Sequence, residues 1–378
     1  MPEVVVVGGG VVGASIAYHL AAKGQRGILV IERDTLGSGS TGKNAGGIRL
    51  QFSTEINVRL SQRSVAKLER FGDEMGIDIQ FHQVGYLILI TDEKDVAPFG
   101  RSLAMWDRLG VPARRLERGE ISAVFPEIVT DDVLFATFCQ KDGHADPSSM
   151  LSGYVAGARR LGVTFRDHSE VTGIDVDRGR VSAVRVGDER IPCGTLIVAA
   201  GAWTAPVAAL AGVDVPIAPL RRQILVTDRV AGFDHPFPLT VEFATGLYMH
   251  RESGGVLLGM ADPADGPGYN ESVNWDFLAT LIERAVSRLP VLERAAIRTA
   301  WAGLYEDTPD KHPILGPVEG VSGLILAAGF SGHGVMHSPA TGELIAELLC
   351  DGRTSLDISS LGLDRFRTGR LVTEHNVI

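Results

Sequence analysis

The chain has 378 residues and a formal net charge of −10 at pH 7, so it lacks the basic surface that binding to nucleic-acid phosphates requires. An apolar fraction of 45% is ordinary for a globular protein with a sizeable core. Cys139, Cys193 and Cys350 are far apart in the sequence, which favours free thiols and a reducing compartment over disulfides or a zinc site. We find no secretory leader and no apolar run fit to span a membrane, and therefore expect a cytoplasmic protein.

The first predicted elements form the start of a dinucleotide-binding unit. Val4 to Val7 is a short β-branched run typical of a buried parallel strand, and Ala14 to Lys23 is predicted to be a helix. Between them, Gly8, Gly10 and Gly13 follow G-x-G-x-x-G spacing. In that motif the first glycine makes a tight turn, the second lets the backbone approach a pyrophosphate, and the third lets the helix pack on the strand.

A second strand completes this unit. Gly27 to Ile31 ends at Glu32, where a carboxylate can accept hydrogen bonds from a ribose. The start of the helix before it offers unpaired N–H groups and a positive dipole end to phosphates. The alternative, a glycine-rich turn in an ordinary α/β domain, gives Glu32 no role.

Further elements follow from the periodicity of apolar residues. Helices are predicted over Thr54–Phe71, Val96–Leu109, Ser148–Leu161 and Trp275–Leu289, and from about Pro339 to Leu349. Strands are predicted over Gly85–Ile90, Val163–Phe165, Glu170–Val176, Arg180–Val186, Thr195–Ala200 and Gly323–Ala328, with several more between Pro219 and Met260. Three core strands end in glycine, near residues 7, 200 and 328, so one sheet is predicted to be assembled from distant parts of the chain around a strand-rich insertion.

Five motifs, in order along the chain, carry a family resemblance. They are Val5–Gly13, the loop Ser40–Arg49, Leu196–Trp203, Gly303–Asp310 and Ala328–Gly334. Together they resemble the FAD-dependent amine oxidoreductases of the D-amino-acid oxidase superfamily, in the branch of sarcosine oxidase β-type subunits, proline dehydrogenase β-type subunits and glycine oxidase. The resemblance covers the chain from residue 4 to about 349.

The resemblance implies an α/β (α+β) fold with two domains. A glutathione-reductase-like Rossmann domain for FAD would take residues 1–80, 145–218 and 300–378. A substrate domain with a mixed or antiparallel sheet would be inserted as residues 81–144 and 219–299.

The resemblance also implies FAD rather than NAD. Its predicted contacts are Gly8, Gly10, Val11, Val12, Gly13, Glu32, Arg33, Ser40, Thr41, Ala45, Gly46, Gly47, Val171, Gly201, Gly303, Gly329, Ser331, Gly332, His333 and Gly334. The residues themselves support this cofactor, because a long dinucleotide needs several backbone approaches and the chain has three glycine-rich loops.

Four residues are candidates for the chemistry. An amino-acid carboxylate needs a cation, and Arg49, just after the second glycine-rich loop, can bind it bidentately; the alternative is a structural ion pair. Tyr248 and Tyr305 correspond to pocket residues in sarcosine-oxidase-like relatives, with packing as the alternative. His333 is either a direct hydrogen-bond donor to the flavin or a residue that shapes its loop, whose helix dipole would stabilise negative charge on the reduced ring.

At four positions the sequence differs from the family pattern, and these differences restrict the predicted cofactors and chemistry. Gly303 replaces the cysteine that attaches FAD in the monomeric oxidases, so non-covalent FAD is expected. Leu257 replaces a lysine that promotes reaction with oxygen, and Met336 replaces a carboxylate-binding lysine. Pro147 stands where the heterotetrameric sarcosine oxidases link FMN to histidine, so a second flavin is not expected.

The other histidines and the arginine pair are expected to have structural rather than catalytic roles. His235, His250 and His312 are interpreted as surface or turn residues. The run Arg221-Arg222-Gln223 is expected to supply a fold-stabilising ion pair. No metal site is predicted, because His144-Ala145-Asp146 has no third ligand nearby in the sequence.

The predicted function is oxidation of the C–N bond of a small amino or imino acid to an imine, by hydride transfer to flavin N5. Oxygen, a protein or a quinone would accept the electrons, and a homo- or hetero-oligomer is compatible with the sequence. The alternatives are an oxidase or dehydrogenase of a D-amino acid or a larger biosynthetic amine, and a flavin electron-relay subunit with catalysis elsewhere.

Overall fold

The computed structural model describes residues 2–377. Its strands are β1 (Val4–Val7), β2 (Ile28–Ile31), β3 (Gly47–Ile48), β4 (Tyr86–Ile90), β5 (Ala113–Leu116), β6 (Phe135–Cys139), β7 (Gly143–His144), β8 (Thr164–Arg166), β9 (Val171–Asp177), β10 (Arg180–Val186), β11 (Glu189–Pro192), β12 (Thr195–Val198), β13 (Ala218–Thr227), β14 (Leu239–Glu242), β15 (Leu247–Glu252), β16 (Gly255–Met260), β17 (Ile297–Asp307), β18 (Ile314–Pro317) and β19 (Leu324–Ala328). Its helices are α1 (Val11–Ala22), α2 (Glu55–Leu68), α3 (Phe71–Met75), α4 (Glu93–Arg108), α5 (Arg118–Val124), α6 (Pro147–Arg160), α7 (Thr204–Ala209), α8 (Trp275–Arg288), α9 (Gly334–Asp351) and α10 (Arg365–Thr368).

A six-stranded sheet brings together distant parts of the chain, in the order β18-β19-β12-β1-β2-β8. The buried valines of β1 pair in parallel with β2 on one side and β12 on the other. Such a sheet must be covered on both faces. Val4 and Val6 pack in one core with residues of α1 and α9, whereas Val5 and Val7 pack in another with residues of the antiparallel sheet β11-β10-β9.

A second sheet has eight strands in the order β17-β13-β16-β15-β14-β4-β6-β5 and is mostly antiparallel. Side chains alternate between its two faces. Leu87 and Leu89 of β4 pack in one core with α8, whereas Ile88 and Ile90 pack on the opposite face with residues of α2 and α4. That second face turns its side chains toward the rest of the molecule.

The predicted fold class, a Rossmann-type parallel sheet with a mixed, largely antiparallel second sheet, is confirmed. The domain boundaries stay a prediction. Strand β17 belongs entirely to the eight-stranded sheet, so the proposed boundary at residue 300 falls within it.

The last long helix begins earlier than predicted. Helix α9 starts at Gly334, not near Pro339, and Pro339 lies inside it. A proline has no N–H to donate to the carbonyl four residues back. The hydroxyl of Ser338 donates to that carbonyl, at Val335, over 2.9 Å, so the helix tolerates the proline.

Two further features bear on the expectations above. Within residues 2–377, no helix combines the length and apolar character needed to cross a membrane. Cys139 and Cys193 are buried and Cys350 is exposed, each as a free thiol.

Candidate active site

A cavity of about 670 Å³ opens where β1, β12 and β19 end and α1 begins; we call it the dinucleotide cavity. At its floor Gly8 has φ of +115°, and a Cβ there would lie 2.1 Å from the carbonyl oxygen of Ala199. Only glycine fits this turn. The Thr41 hydroxyl accepts a hydrogen bond from the Val11 amide at 3.0 Å, and the N-cap residue Gly10 has no side chain to compete for the other amides of the first turn.

Glu32 lies on the wall of the cavity, as its position after β2 predicts. One carboxylate oxygen accepts from the Gly9 amide at 2.7 Å and the other from the Asp34 amide at 3.0 Å. The two bonds fix the carboxylate beside the turn that begins at Gly8.

Twelve of the predicted FAD contacts line this cavity. They are Gly8, Gly10, Val11, Val12, Glu32, Arg33, Ser40, Thr41, Val171, Gly201, Gly332 and Gly334. Gly13 lies within α1, and Gly329 and Ser331 shape the loop before α9. Ser331 is buried with φ of +49°, and its hydroxyl accepts from the Thr308 amide at 3.2 Å.

A second, smaller space of about 80 Å³ adjoins the cavity; we call it the inner pocket. It contains all four candidate catalytic side chains, Arg49, Tyr248, Tyr305 and His333. The remaining predicted cofactor residues, Ala45, Gly46, Gly47 and Gly303, also line it. Seven residues belong to both spaces: Ser40, Lys43, Asn44, Leu304, Tyr305, Gly332 and Val335. The two spaces are therefore adjacent and share part of their walls.

Arg49 is almost completely enclosed, with 1% of its surface exposed. Its Nη1 donates to the Gln51 carbonyl oxygen at 2.8 Å, and Nη2 donates to the carbonyl oxygen of Asn376. Nη2 also lies 3.0 Å from Nε2 of His333, and the guanidinium stacks 4.1 Å from the centre of the Phe52 ring. Among residues 2–377, backbone carbonyls rather than a structural carboxylate hold this cation.

His333 is a neutral imidazole. Burial, followed by the positive charge of Arg49, holds the pKa of His333 well below its usual range. Its Nε2 therefore accepts from Arg49 and its proton resides on Nδ1. Within residues 2–377 this buried Nδ1 has no hydrogen-bond partner, which leaves a donor for a ligand.

Three tyrosines surround the pocket with neutral hydroxyls. Burial raises the pKa of Tyr86, Tyr248 and Tyr305, and for Tyr305 the nearby charges of Arg222 and Arg49 oppose that rise. Tyr305 packs against the loop before α9, where a Cβ at Gly332 would lie 2.4 Å from the tyrosine ring. Hydroxyls of this kind can orient an amine or a carboxylate by donating or accepting hydrogen bonds.

Sequence reasoning missed Arg222, which lines the inner pocket. The expected ion pair is made by Arg221 with Asp265, but Arg222 does not share in it. Successive residues of a strand point to opposite faces, and Arg222 lies on the pocket face of β13 with Ile224. The alternation of side chains along β13 could have indicated that Arg221 and Arg222 face opposite sides of the sheet. Tyr86 was also missed, although the same alternation along β4 applies to it.

The interpretation of the histidines as surface or turn residues holds for His235, is wrong for His250, and holds for His312 only in that this residue lies in the connection between β17 and β18. His235 is exposed, but His250 and His312 are only 1% and 2% exposed. Nε2 of His250 lies 2.9 Å from the carbonyl oxygen of Ala45, so this ring contacts the glycine-rich loop that contains Ala45. Burial lowers the pKa of both rings, which keeps them neutral.

The four family departures fall in different places. Met336 and Gly303 line the inner pocket, with Lys43 Cβ 2.9 Å from where a Gly303 Cβ would lie. Leu257 lies on β16, outside the inner pocket. Pro147 is the first residue of α6 and directly follows the N-cap residue of that helix.

Comparison with known proteins gives the family. Residues 3–348 match the DAO family of FAD-dependent oxidoreductases, and the chain belongs to that family. FAD-dependent oxidoreductase domain-containing protein 1 of Xenopus laevis is 32% identical over 425 residues, which cover 100% of this chain and 85% of that protein.

Two solved structures are similar over nearly the whole chain. L-proline dehydrogenase from P. horikoshii has a TM-score of 0.93 and 32% identity, covering 98% of this chain and 99% of that one. Glycine oxidase from Geobacillus kaustophilus has a TM-score of 0.86 and 26% identity, covering 96% and 98%. The predicted family and the prediction of an FAD-dependent oxidoreductase are confirmed.

Proposed function

We propose that this oxidoreductase oxidises the C–N bond of a small amino or imino acid, such as sarcosine, proline or glycine, to an imine that water then hydrolyses. The observation that carries the proposal is the inner pocket, where two arginines and three tyrosines meet beside the dinucleotide cavity. Its volume of about 80 Å³ favours a small substrate. The names of the two solved relatives, a proline dehydrogenase and a glycine oxidase, agree with this class.

The residues present fit FAD held without a covalent bond. The dinucleotide cavity supplies the glycine turn, the first amides of α1 and the fixed carboxylate of Glu32 for the dinucleotide half. Gly303 offers no nucleophile, and none of the three cysteines lines either space. When bound, FAD would supply the acceptor for the hydride that leaves the carbon beside the substrate nitrogen.

Each pocket residue then has a role in holding the substrate. Arg49 and Arg222 provide the positive charge that a carboxylate requires. The hydroxyls of Tyr248 and Tyr305 orient the amine or the carboxylate. The start of α9 and the Nδ1–H of His333 provide positive partial charge beside the cofactor, where negative charge develops during the reaction.

The electron acceptor is oxygen, a partner protein or a quinone. Leu257 places no cation near the pocket from β16, and this favours a dehydrogenase over an oxidase. Within this proposal a homo- or hetero-oligomer remains compatible with the chain.

The proposal is tested by anaerobic reduction of the purified yellow protein. N-methyl, cyclic and D-amino acids are added in turn, and bleaching of the flavin absorbance is recorded before oxygen is admitted. We expect bleaching with a small amino acid of one of the first two groups, and slow recovery of colour in oxygen. A flavin that no amine bleaches, but that exchanges electrons with a partner subunit, would identify a relay subunit instead.

A further inference from the structure

The two arginines of the inner pocket differ in how far their donors are already used. Arg49 uses three of its five N–H donors, one of Nη1 on the carbonyl of Gln51 and both of Nη2 on the carbonyl of Asn376 and the ring of His333. Its hydrogen bonds hold together three segments of the protein. A substrate carboxylate that took over these donors would leave buried carbonyls without hydrogen-bond partners, which is unfavourable.

Arg222, in contrast, uses few of its hydrogen-bond donors. In the part of the chain that the structure describes, its one hydrogen bond is from Nη1 to the carbonyl oxygen of Arg221, at 2.8 Å. Among residues 2–377 its buried Nε has no hydrogen-bond partner, and no carboxylate in that range forms a salt bridge with Arg222. Arg221, the next residue, is paired bidentately with Asp265 on the other face of the strand. These neighbouring arginines of β13 therefore differ. Among the described residues Arg221 is paired with a carboxylate, whereas Arg222 is not.

The position of Arg222 suits a ligand that lies over the tyrosines. Its partner in the antiparallel register is Gly303 of β17, beside which the Lys43 side chain packs. The Arg222 guanidinium lies 4.8 Å from the centre of the Tyr305 ring, a distance typical of a cation–π contact. The Tyr305 ring therefore contacts the guanidinium, while the buried Nε has no hydrogen-bond partner among the described residues.

We infer that Arg222 binds the carboxylate of the substrate directly, and that Arg49 is a positioning residue that fixes His333 and the segment around Asn376. The inference rests on the proposed function and assigns the selection of the substrate to Arg222. A buried guanidinium N–H without a partner, such as that of Arg222 Nε, is unfavourable, and a planar carboxylate can satisfy two guanidinium N–H donors at once. The pocket would thus select amines that carry an acid over neutral amines of the same shape.

The test measures binding of two molecules that cannot be oxidised at a C–N bond beside an acid. Cyclopentanecarboxylate and cyclopentanecarboxamide have the same shape and differ in charge. Their dissociation constants are measured on the FAD-loaded protein from the shift in flavin absorbance and by calorimetry. The variants are Arg222→Gln, Arg222→Lys and Arg49→Gln, and Arg221→Gln is the matched control on the opposite face.

We expect Arg222→Gln to weaken binding of the carboxylate by about ten- to a hundredfold and to leave the carboxamide within about twofold. Arg222→Lys keeps the charge but loses the bidentate geometry, so it should fall between. Arg221→Gln should preserve the preference for the acid. Arg49→Gln should shift the flavin spectrum of the ligand-free protein, because His333 loses its partner, while the preference for the acid persists.

Two results would overturn the inference. One is equal weakening of both ligands by Arg222→Gln and Arg222→Lys, which would assign Arg222 to packing on Tyr305. The other is loss of the acid preference in Arg49→Gln alone. Since neither ligand reacts, a carboxylate site that depends on Arg222 can be found even if no amine bleaches the flavin, so the failure of the proposed function is separately visible.

Discussion

The dinucleotide cavity and the inner pocket adjoin each other but are built by different means. Glycines line the cavity at the turn after β1, in the loop before β3 and in the loop before α9, and leave the backbone there uncovered. The chemical groups of the inner pocket are side chains, with Tyr86, Arg222, Tyr248 and Tyr305 from the eight-stranded sheet and Arg49 and His333 from outside it. Backbone sites need glycines at fixed spacing and so leave a motif in the sequence, whereas side-chain sites depend on strand register and leave none.

The largest expected effect tests the backbone part of this comparison. In Gly8→Ala, the new Cβ meets the Ala199 carbonyl oxygen at 2.1 Å in a backbone with positive φ, and we expect a loss of about 3 kcal/mol in the free energy of unfolding together with loss of FAD. The measurements are thermal unfolding and flavin absorbance per protein. The control is Gly24→Ala, where φ is also positive but no atom lies within 4 Å. Equal effects of the two changes would mean that backbone strain, and not the close approach, matters.

The next effect concerns a carboxyl behind the inner pocket. Burial raises the pKa of Asp142 from 3.8 to about 7, and its oxygens accept from the Leu50 amide and the Gln51 side chain. The folded protein therefore holds a proton that the unfolded chain releases between these pH values. The free energy of unfolding should fall as pH rises through this window, by at most about 1.4 kcal/mol per pH unit.

This dependence is measured by denaturant unfolding at a series of pH values. Asp142→Asn should reduce the fall, because the amide does not titrate, and the exposed control Asp131→Asn should leave it unchanged. A steeper fall in Asp142→Asn would show that the carboxyl is ionised in the folded protein and stabilises it.

The smallest effect concerns the dinucleotide cavity, at the carboxylate of Glu32. Glu32→Ala removes the acceptor for the Gly9 amide and the proposed contact to the ribose. We expect the affinity for FAD to fall about tenfold, with little change in the Kd of a carboxylate ligand once the protein is saturated with FAD. Equilibrium dialysis of flavin measures the first quantity. Undiminished FAD affinity, equal to that of the exposed control Glu69→Ala, would remove Glu32 from the site.

The same division explains how much could be predicted. The βαβ unit from Val4 to Glu32 was predictable because all its determinants lie within one short segment. The burial of His250 and His312 was not, because it depends on elements far away in the sequence. The contact of Arg49 with Asn376 spans nearly the whole chain, and no local pattern encodes it. Arg222 was half predictable, since strand alternation separates it from Arg221 but does not say what it faces.

The residues shared by the two spaces have a thermodynamic consequence. Because Ser40, Lys43, Tyr305 and Gly332 line both, a cofactor in the cavity would contact residues that also line the proposed substrate pocket. The affinities of the two molecules are then linked, and the linkage is reciprocal. A saturating acid should slow the escape of FAD by the same factor by which FAD tightens the hold on the acid, provided that association rates are unaltered.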